Sequence, residues 1–488
     1  MLALLPAAVA MIAVLAFRAN GLIAAALACL AAVAMWLWPP LTAGLSGSAG
    51  SVVYDASSVP PAVQGARALA DAALLTAIVA AMIVPGILFV EATRQLGSPD
   101  AITDVLTALR LPPAQTAMLL ATGFGVLLES LTGMGVSLLV TTPMLLAIVP
   151  RRQAIGLALV SMSLMPWGAL AISGIIGAKL AGLPVATLAH ASSFISGAVA
   201  LILPMLCLAF VTAPTPADRV IAVLTGVILF LAIAASTATL GIEVAGVAGG
   251  LAVIVMFGSL AKRNGLATAL AAPALRPYAA LFLLVVIQKI AITWLASTGL
   301  SPTFDTGRTS FPILASPGVA LTAAVLLTAR AGVTGALWRI VTARAWRPVL
   351  TVALFMVAAR LMVETGAVEA LANTVSSLGV GPALVATALL GAASGFATGS
   401  GVTGNALFMP SAAATGRALG EVELFSAIQH GAAGHVAMAS LPVAAILLAA
   451  LPNRSSTDDR TVLVLGLRLA AIHLAVIVLA GFAWRALS

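Results

Sequence analysis

Two short polar runs rich in glycine, serine and threonine interrupt long apolar stretches, at residues 133–137 and 398–405. Where a helix restarts after such a break, its first N–H groups are free and its positive dipole end favours an anion. Hydroxyl and amide side chains can add hydrogen bonds to a carboxylate. The residues that we predict to bind an anion are Gly133, Gly135, Ser137, Thr398, Ser400, Thr403, Gly404, Asn405 and His430.

The glycines also have a structural interpretation, because small residues let two membrane helices pack closely. The second run, however, combines its glycines with three hydroxyls and an amide, those of Thr398, Ser400, Thr403 and Asn405. Such donors are not needed for a packing seam. The combination therefore favours a binding site.

Glu129 is a candidate proton carrier, because it lies four residues before Gly133 in the same apolar stretch. Charged groups at membrane depth are costly and are candidates for function. Desolvation favours the neutral carboxyl, which would allow Glu129 to take up and release a proton during transport. The structural alternative is that Glu129 holds the polar run in place by bonding to backbone donors.

Two histidines follow the second run, and we predict proton coupling for His435 beside the substrate contact of His430. The alternative is that both are packed hydrogen-bonding groups. A spacing of five does not place them on one helix face, and no carboxylate clusters with them, so no metal site is predicted. The sequence also contains no nucleophile–base set and no Walker-type loop. We therefore predict neither catalytic residues nor a cofactor.

The composition predicts an all-α polytopic membrane protein. Of 488 residues, 62% are hydrophobic and 8% are charged, which lies outside the range of soluble globular proteins. Apolar stretches of transmembrane length recur from end to end. The net charge of +8 is no sign of nucleic-acid binding, because the basic residues are scattered at segment ends. Cys29 and Cys207 both lie in apolar stretches, which argues against a disulfide.

The two halves of the chain resemble each other. Pro113 recurs as Pro382 and Gly123 as Gly395, at offsets of 269 and 272 residues. Paired broken segments in two halves indicate a transporter substrate site. We predict about twelve transmembrane helices plus two re-entrant hairpins, 113–150 and 383–415, in an inverted repeat. The predicted units are scaffold helices with an external loop (1–69), repeat 1 (70–180), scaffold helices with a cytoplasmic connector (181–347), repeat 2 (348–450) and a C-terminal helix (451–488).

The basic residues predict the orientation in the membrane. If both hairpins turn back, most basic residues fall on one side, including Arg110 and Arg151, and few fall on the side of Arg417. The richer side is then cytoplasmic, both termini are extracytoplasmic, and the repeats start in opposite directions. Two further expectations are that spans 154–178 and 425–450 are continuous helices and that Arg360 pairs locally with Glu364.

These breaks resemble those of the lactate permease family, whose members move lactate and glycolate with protons. The family's Glu-Gly-x-x-Gly-Phe-Gly-x-Pro stretch corresponds to residues 129–137, and its Pro-x-x-Phe-Gly-Ala-Leu-Gly stretch loosely to 166–170. Its Thr-Gly-Ser-Asp-Thr-Ser-Ser-Asn-x-Leu-Phe motif corresponds to 398–408. Gly401 stands where the family has Asp, Ser137 where it has Pro, and His435 near where it has Lys. The resemblance covers about residues 70 to 450 and implies hairpins on a mobile domain over a fixed scaffold, often in homodimers.

The sequence thus predicts a secondary active transporter, a permease for a small monocarboxylate such as lactate or glycolate, with proton symport, in a bacterial inner membrane. The alternatives are a sodium-coupled organic anion carrier and a sodium/proton exchanger; almost no Asp lies within the spans, which counts against the exchanger. An integral membrane enzyme would need a catalytic cluster that the sequence lacks. The expected partners are a small organic anion, a coupling proton or Na⁺, and membrane lipid, without nucleic acid.

Overall fold

The protein, described as a computed structural model, consists almost entirely of helices. The structure describes residues 4–17, 19–38, 60–133, 135–261, 273–298, 301–328 and 333–487. Most of the predicted external loop (39–59) and Met134 lie outside the described residues. The helices are α1 (Leu5–Leu15), α2 (Gly21–Leu37), α3 (Pro61–Gln95), α4 (Ser98–Leu109), α5 (Pro113–Thr132), α6 (Val136–Ile148), α7 (Arg151–Ser161), α8 (Gly168–Ala181), α9 (Val185–Leu208), α10 (Pro216–Thr239), α11 (Ile242–Leu260), α12 (Arg276–Ser297), α13 (Pro317–Thr328), α14 (Gly335–Glu364), α15 (Ala367–Ser376), α16 (Val380–Thr398), α17 (Gly401–Leu419), α18 (Val422–Ala437), α19 (Leu441–Ala449) and α20 (Ser456–Leu487).

The remaining regular elements are short. Strands β1 (Thr303–Asp305) and β2 (Ser310–Pro312) form an antiparallel hairpin. Three 3₁₀ segments lie at Met165–Trp167, Pro273–Leu275 and Ile313–Ala315. From the strands, Phe311 alone among the described residues joins the hydrophobic core.

Local sequence determines where several helices begin. Pro113 opens α5, where its missing N–H costs no helical hydrogen bond. At the start of α10, Thr215 and Asp218 form a reciprocal capping box, in which each side chain accepts from the other residue's backbone N–H. Both helices therefore begin at or directly after the proline or polar residue that marks a helix start in the sequence.

The protein is a multi-pass membrane protein. Ten helical segments among the described residues are long and apolar enough to cross a membrane, or eleven if α7 and α8 count as one bent span. On α10, exposed apolar side chains follow the spacing of one helix face, which suits contact with lipid. They are Val220, Val223, Leu224, Val227 and Leu231.

Two stretches of the chain have the same order of elements, α3–α8 and α14–α19. Each opens with a long helix, and each then turns through a left-handed glycine, Gly97 or Gly366, into a short helix. Two helices follow that flank a break, at residues 133–135 in the first stretch and 399–400 in the second. The correspondence predicted from the sequence thus recurs in the order of the elements.

The predicted spans 154–178 and 425–450 correspond to the bent pair Arg151–Ser161 with Met165–Ala181 and to the segment Val422–Ala449, and neither is one uninterrupted helix. The first is broken between α7 and α8, which bend by 47°, and the second is interrupted between α18 and α19. Each break carries a proline, Pro166 or Pro442, at the start of the segment that follows it. Proline lacks the N–H that a continuing helix needs and clashes with the preceding turn. Ser440 then caps α19 by accepting from the backbone N–H of Val443 at 3.3 Å.

Helices α3 and α14 pack against each other in opposite directions, held by ion pairs at both ends. Asp71 near the start of α3 contacts Arg360 near the end of α14, and Glu91 near the end of α3 contacts Arg344 near the start of α14. Both carboxylate side chains are almost fully buried. The predicted local pair of Arg360 with Glu364 was wrong, since Glu364 pairs instead with Arg308. A buried guanidinium needs a buried anion, and Asp71 on the neighbouring helix supplies it.

Many of the helices form two packed groups. In the first, which we call the outer bundle, α14 packs against α2 and α3, and α3 packs against α13. In the second, the broken-helix bundle, α16 and α17 pack against α18, α8 packs against α17, and α7 and α8 accompany α5 and α6. The two sets of breaks therefore lie together, opposite the outer bundle.

Candidate functional site

A cavity of about 500 Å³ lies between the outer bundle and the broken-helix bundle. It is bordered by residues from all four interruptions: the break after α5, the break before α8, the break before α17 and the start of α19. Their glycines fit closely, since a Cβ atom on Gly133 would lie 2.7 Å from the Cβ of Ala169. A Cβ on Gly399 would lie 2.9 Å from Oγ of Ser440. Helix breaks from both halves of the chain therefore border this one cavity.

The second break presents the free start of α17 to the cavity. Ser400 is the N-cap residue, with an extended backbone, and its side chain makes no capping hydrogen bond. The hydroxyls of Thr398 and Thr403 both donate to the carbonyl of Ser400, at 3.1 and 3.3 Å. These two side chains therefore shape the turn, while the first-turn N–H groups of α17 lack intrahelical acceptors. Gly401, Val402 and Thr403 all border the cavity.

The first break is capped by a carboxylate of the chain itself. Glu129 is 2% exposed and accepts a hydrogen bond from Oγ of Ser137 at 3.0 Å. The backbone N–H of Gly135 also donates to it. Gly133 has φ 65° and ψ −167°, a conformation open almost only to glycine, and this turns the chain back toward α6. The start of α6 therefore already has a carboxyl partner, whereas no acidic side chain is recorded at the start of α17 among the residues that the structure describes.

Helix α8 begins with backbone strain at the cavity. Ala169, Leu170 and Ala171 have φ of 48°, 52° and 56°, in the left-handed region. Each residue other than glycine in this region costs about 1–2 kcal/mol. Gly168 and Ala169 border the cavity, and Gly168 lies beside the carboxyl of Glu129. Strain of this kind concentrates at functional sites.

Asn405, Gly404 and His430 lie behind the second break and do not border the cavity. The Asn405 amide donates to the carbonyl of Ser173 at 3.0 Å and contacts Nδ1 of His430 at 3.2 Å. Because an amide N–H₂ can only donate, the His430 ring accepts at Nδ1 and carries its proton on Nε2. This network joins α8 of the first stretch to α17 and α18 of the second.

His435 also lies away from the cavity, in a buried aromatic cluster. Its Nδ1 contacts the carbonyl of Ser163, and its ring centroid lies 5.7 Å from that of His473 and 6.4 Å from that of Trp167. The described residues contain no group of three or more His, Cys, Asp or Glu side chains that could hold a metal ion. His435, on α18, thus packs against the segment between α7 and α8 and against α20.

The structure brings six of the eleven predicted site residues to the cavity. These are Glu129, Gly133, Gly135, Thr398, Ser400 and Thr403. Ser137 reaches it only through Glu129. Sequence reasoning missed the wall supplied by the outer bundle, including Thr351 and Arg347, and it missed the contribution of Ser173. The prolines in the apolar runs, Pro166 and Pro442, were signals that could have revealed the two further breaks.

Comparison of the sequence with protein-family models gives no match, and comparison with curated proteins gives none either. The resemblance to lactate permeases at residues 129–137 and 398–408 therefore stays a prediction.

Proposed function

We propose that this protein is a secondary active transporter that carries a small monocarboxylate across a bacterial inner membrane by alternating access. The observation that carries the proposal is the cavity of about 500 Å³ at which four helix interruptions meet. Irregular backbone at membrane depth is tolerated where it is buried in protein or lines a cavity. Paired breaks at such a cavity are the arrangement by which transporters bind ions and substrates.

In this proposal α5–α6 and α16–α17 are re-entrant hairpins that enter from opposite faces. The antiparallel packing of α3 on α14, the first helices of the two stretches, supports an inverted repeat. Helix α6 has 13 residues, so it rises about 20 Å, less than the roughly 30 Å of a hydrocarbon core. The outer bundle then acts as the fixed scaffold along which the broken-helix bundle moves.

The substrate carboxylate binds at the start of α17. That helix end has uncapped N–H groups at the cavity, and its dipole adds favourable electrostatic energy. The equivalent end of α6 is neutralised by Glu129 through Ser137 and Gly135. The cavity therefore offers one position for a substrate carboxylate. The buried carboxyl of Glu129 lies nearby and can carry the coupling proton. Sodium coupling is the alternative, and a transport assay with imposed pH and sodium gradients distinguishes the two.

Ser400→Asp is expected to weaken monocarboxylate binding at least about tenfold. An aspartate at the N-cap would accept from the first-turn N–H groups and place a negative charge where the substrate carboxylate should bind. Tenfold corresponds to about 1.4 kcal/mol, a modest effect for two like charges at close range. The measurement is calorimetric titration of purified protein with lactate.

The matched control for this variant is Ser400→Asn, which has the same shape without the charge and should lose distinctly less affinity. Both variants should unfold near the wild-type temperature, because aspartate, asparagine and serine are comparable N-cap residues. If Ser400→Asp bound lactate with wild-type affinity, the substrate carboxylate would not bind at the start of α17.

The orientation can be tested with single cysteines in a chain whose Cys29 and Cys207 are replaced by Ala. Arg110→Cys and Arg152→Cys, at exposed positions on either side of α5–α6, are expected to resist an impermeant thiol reagent added outside. Ala418→Cys, near the end of α17, is expected to react with it. Lysis of the cells should expose the first two positions. Labelling of position 152 but not 418 in intact cells would reverse the proposed orientation.

A further inference from the structure

The outer bundle gives the cavity an apolar wall. On α3, Val79, Met82, Ile83 and Gly86 border the cavity at the spacing of a single helix face. Gly86 lies beside the first break, since a Cβ atom there would be 3.7 Å from the carbonyl of Thr132. From Gly86 to Val79 the α3 stripe, as we call these four residues, extends for about 10 Å along the helix. Val352 on α14 adds a further apolar contact.

The cavity is too large for a three-carbon acid. Lactate has six non-hydrogen atoms, which fill at most about 180 Å³ if each takes the roughly 30 Å³ of a water molecule. The cavity measures about 500 Å³, within the range of sites that enclose drug-sized ligands. Bound lactate would leave more than half of this space to water lying against apolar side chains.

The cavity has few charged residues in its described lining. Of its described lining residues, only Glu129 and Arg347 are charged. The Glu129 carboxylate is engaged by Ser137, and Arg347 is exposed and stacks over Trp346, with its guanidinium carbon 5.1 Å from the ring centroid. Arg347 borders the cavity from α14 and the α3 stripe carries no charged side chain, so a second carboxylate lying along the stripe would be unpaired, which is costly.

We propose, on the basis of the transport function above, that the site takes monocarboxylates with an apolar tail longer than that of lactate. The carboxylate binds at the start of α17, and the tail lies along the α3 stripe. Each methylene buried there contributes about 0.8 kcal/mol, which corresponds to about fourfold in affinity. A 2-hydroxy acid with three more methylenes than lactate should consequently bind about sixtyfold more tightly.

The experiment measures dissociation constants for straight-chain 2-hydroxy acids from lactate to 2-hydroxyoctanoate, on purified protein in lipid nanodiscs. We expect the affinity to rise about fourfold per methylene through at least 2-hydroxyhexanoate. A flat or falling series with measurable lactate binding would overturn this inference and leave the transport proposal intact. Failure of every acid to bind would overturn both.

The substitution Met82→Trp tests whether the substrate tail lies along the α3 stripe. A larger side chain on the α3 stripe should fill the apolar space, so the gain per methylene should disappear. Met82→Leu conserves the volume and should keep the rising series. A series that rises equally in Met82→Trp would show that the tail partitions into lipid or binds elsewhere, and would overturn the inference. Should Met82→Trp fold poorly, the wild-type series alone decides.

Discussion

Glu129→Gln is expected to abolish uphill accumulation of the substrate driven by a pH gradient, while counterflow exchange of substrate continues. Glu129 is the only carboxyl among the described residues that border the cavity, and it is almost fully buried. Glutamine has nearly the same shape and can still accept the hydrogen bond from Ser137, but it cannot release a proton. The first break should therefore keep its form while the coupling is lost.

The measurement uses proteoliposomes with an imposed gradient of one pH unit. One proton moved with each monocarboxylate can support about tenfold accumulation, because one pH unit corresponds to about 1.4 kcal/mol. We expect a ratio near ten for the wild type and near one for Glu129→Gln. Ser137→Ala is the matched control, since it removes the hydrogen bond at 3.0 Å but keeps the titratable group. It should accumulate substrate.

Three outcomes would each contradict part of this prediction. A Gln variant that still concentrates substrate would exclude Glu129 as the proton carrier. Accumulation by the wild type that requires a sodium gradient and ignores the pH gradient would favour sodium coupling. Exchange lost together with accumulation would indicate that Glu129 acts by holding the first break in place.

Asp71→Ala is expected to destabilise the folded protein by about 3–5 kcal/mol, the usual cost of leaving one partner of a buried ion pair alone. Asp71 is 0% exposed and contacts the buried guanidinium of Arg360. It also accepts a hydrogen bond from Thr306 at 2.7 Å, which ties the β-hairpin segment to α3. Without Asp71, Arg360 retains only a long hydrogen bond to Thr309, at 3.4 Å, among these contacts.

The measurement is the midpoint of thermal unfolding in detergent, compared with that of Asp459→Ala. Asp459 pairs with Arg454 where both side chains are about half exposed, 48% and 54%, and such solvent-screened pairs contribute little to stability. Asp71→Leu combined with Arg360→Met should recover much of the loss, because two apolar residues leave no buried charge. Equal midpoints for Asp71→Ala and Asp459→Ala would show that α3 and α14 do not depend on this pair.

The class of the protein and the positions of its two polar runs could be predicted from the sequence. Membrane helices are recognised by composition and length, which are local properties, and the ten described segments of spanning length agree with that prediction. The breaks after α5 and before α17 were also predictable, because glycine and hydroxyl residues disturb an apolar run wherever it folds. For the same reason Glu129, Gly133, Thr398 and Ser400 were identified as candidates, and all four border the cavity.

Which groups meet was decided only by the tertiary structure. Asn405 and His430 carry the right chemistry for an anion, yet packing turns Asn405 toward Ser173 and His430 toward Asn405. Arg360 has an acid four residues away, yet it pairs with Asp71, 289 residues earlier in the chain (360 − 71). Pro166 and Pro442 permit a break but do not say that both breaks adjoin one cavity. A pattern along one helix specifies the periodicity of that helix, whereas burial and pairing depend on the helix that packs opposite, and that neighbour is chosen by the whole fold.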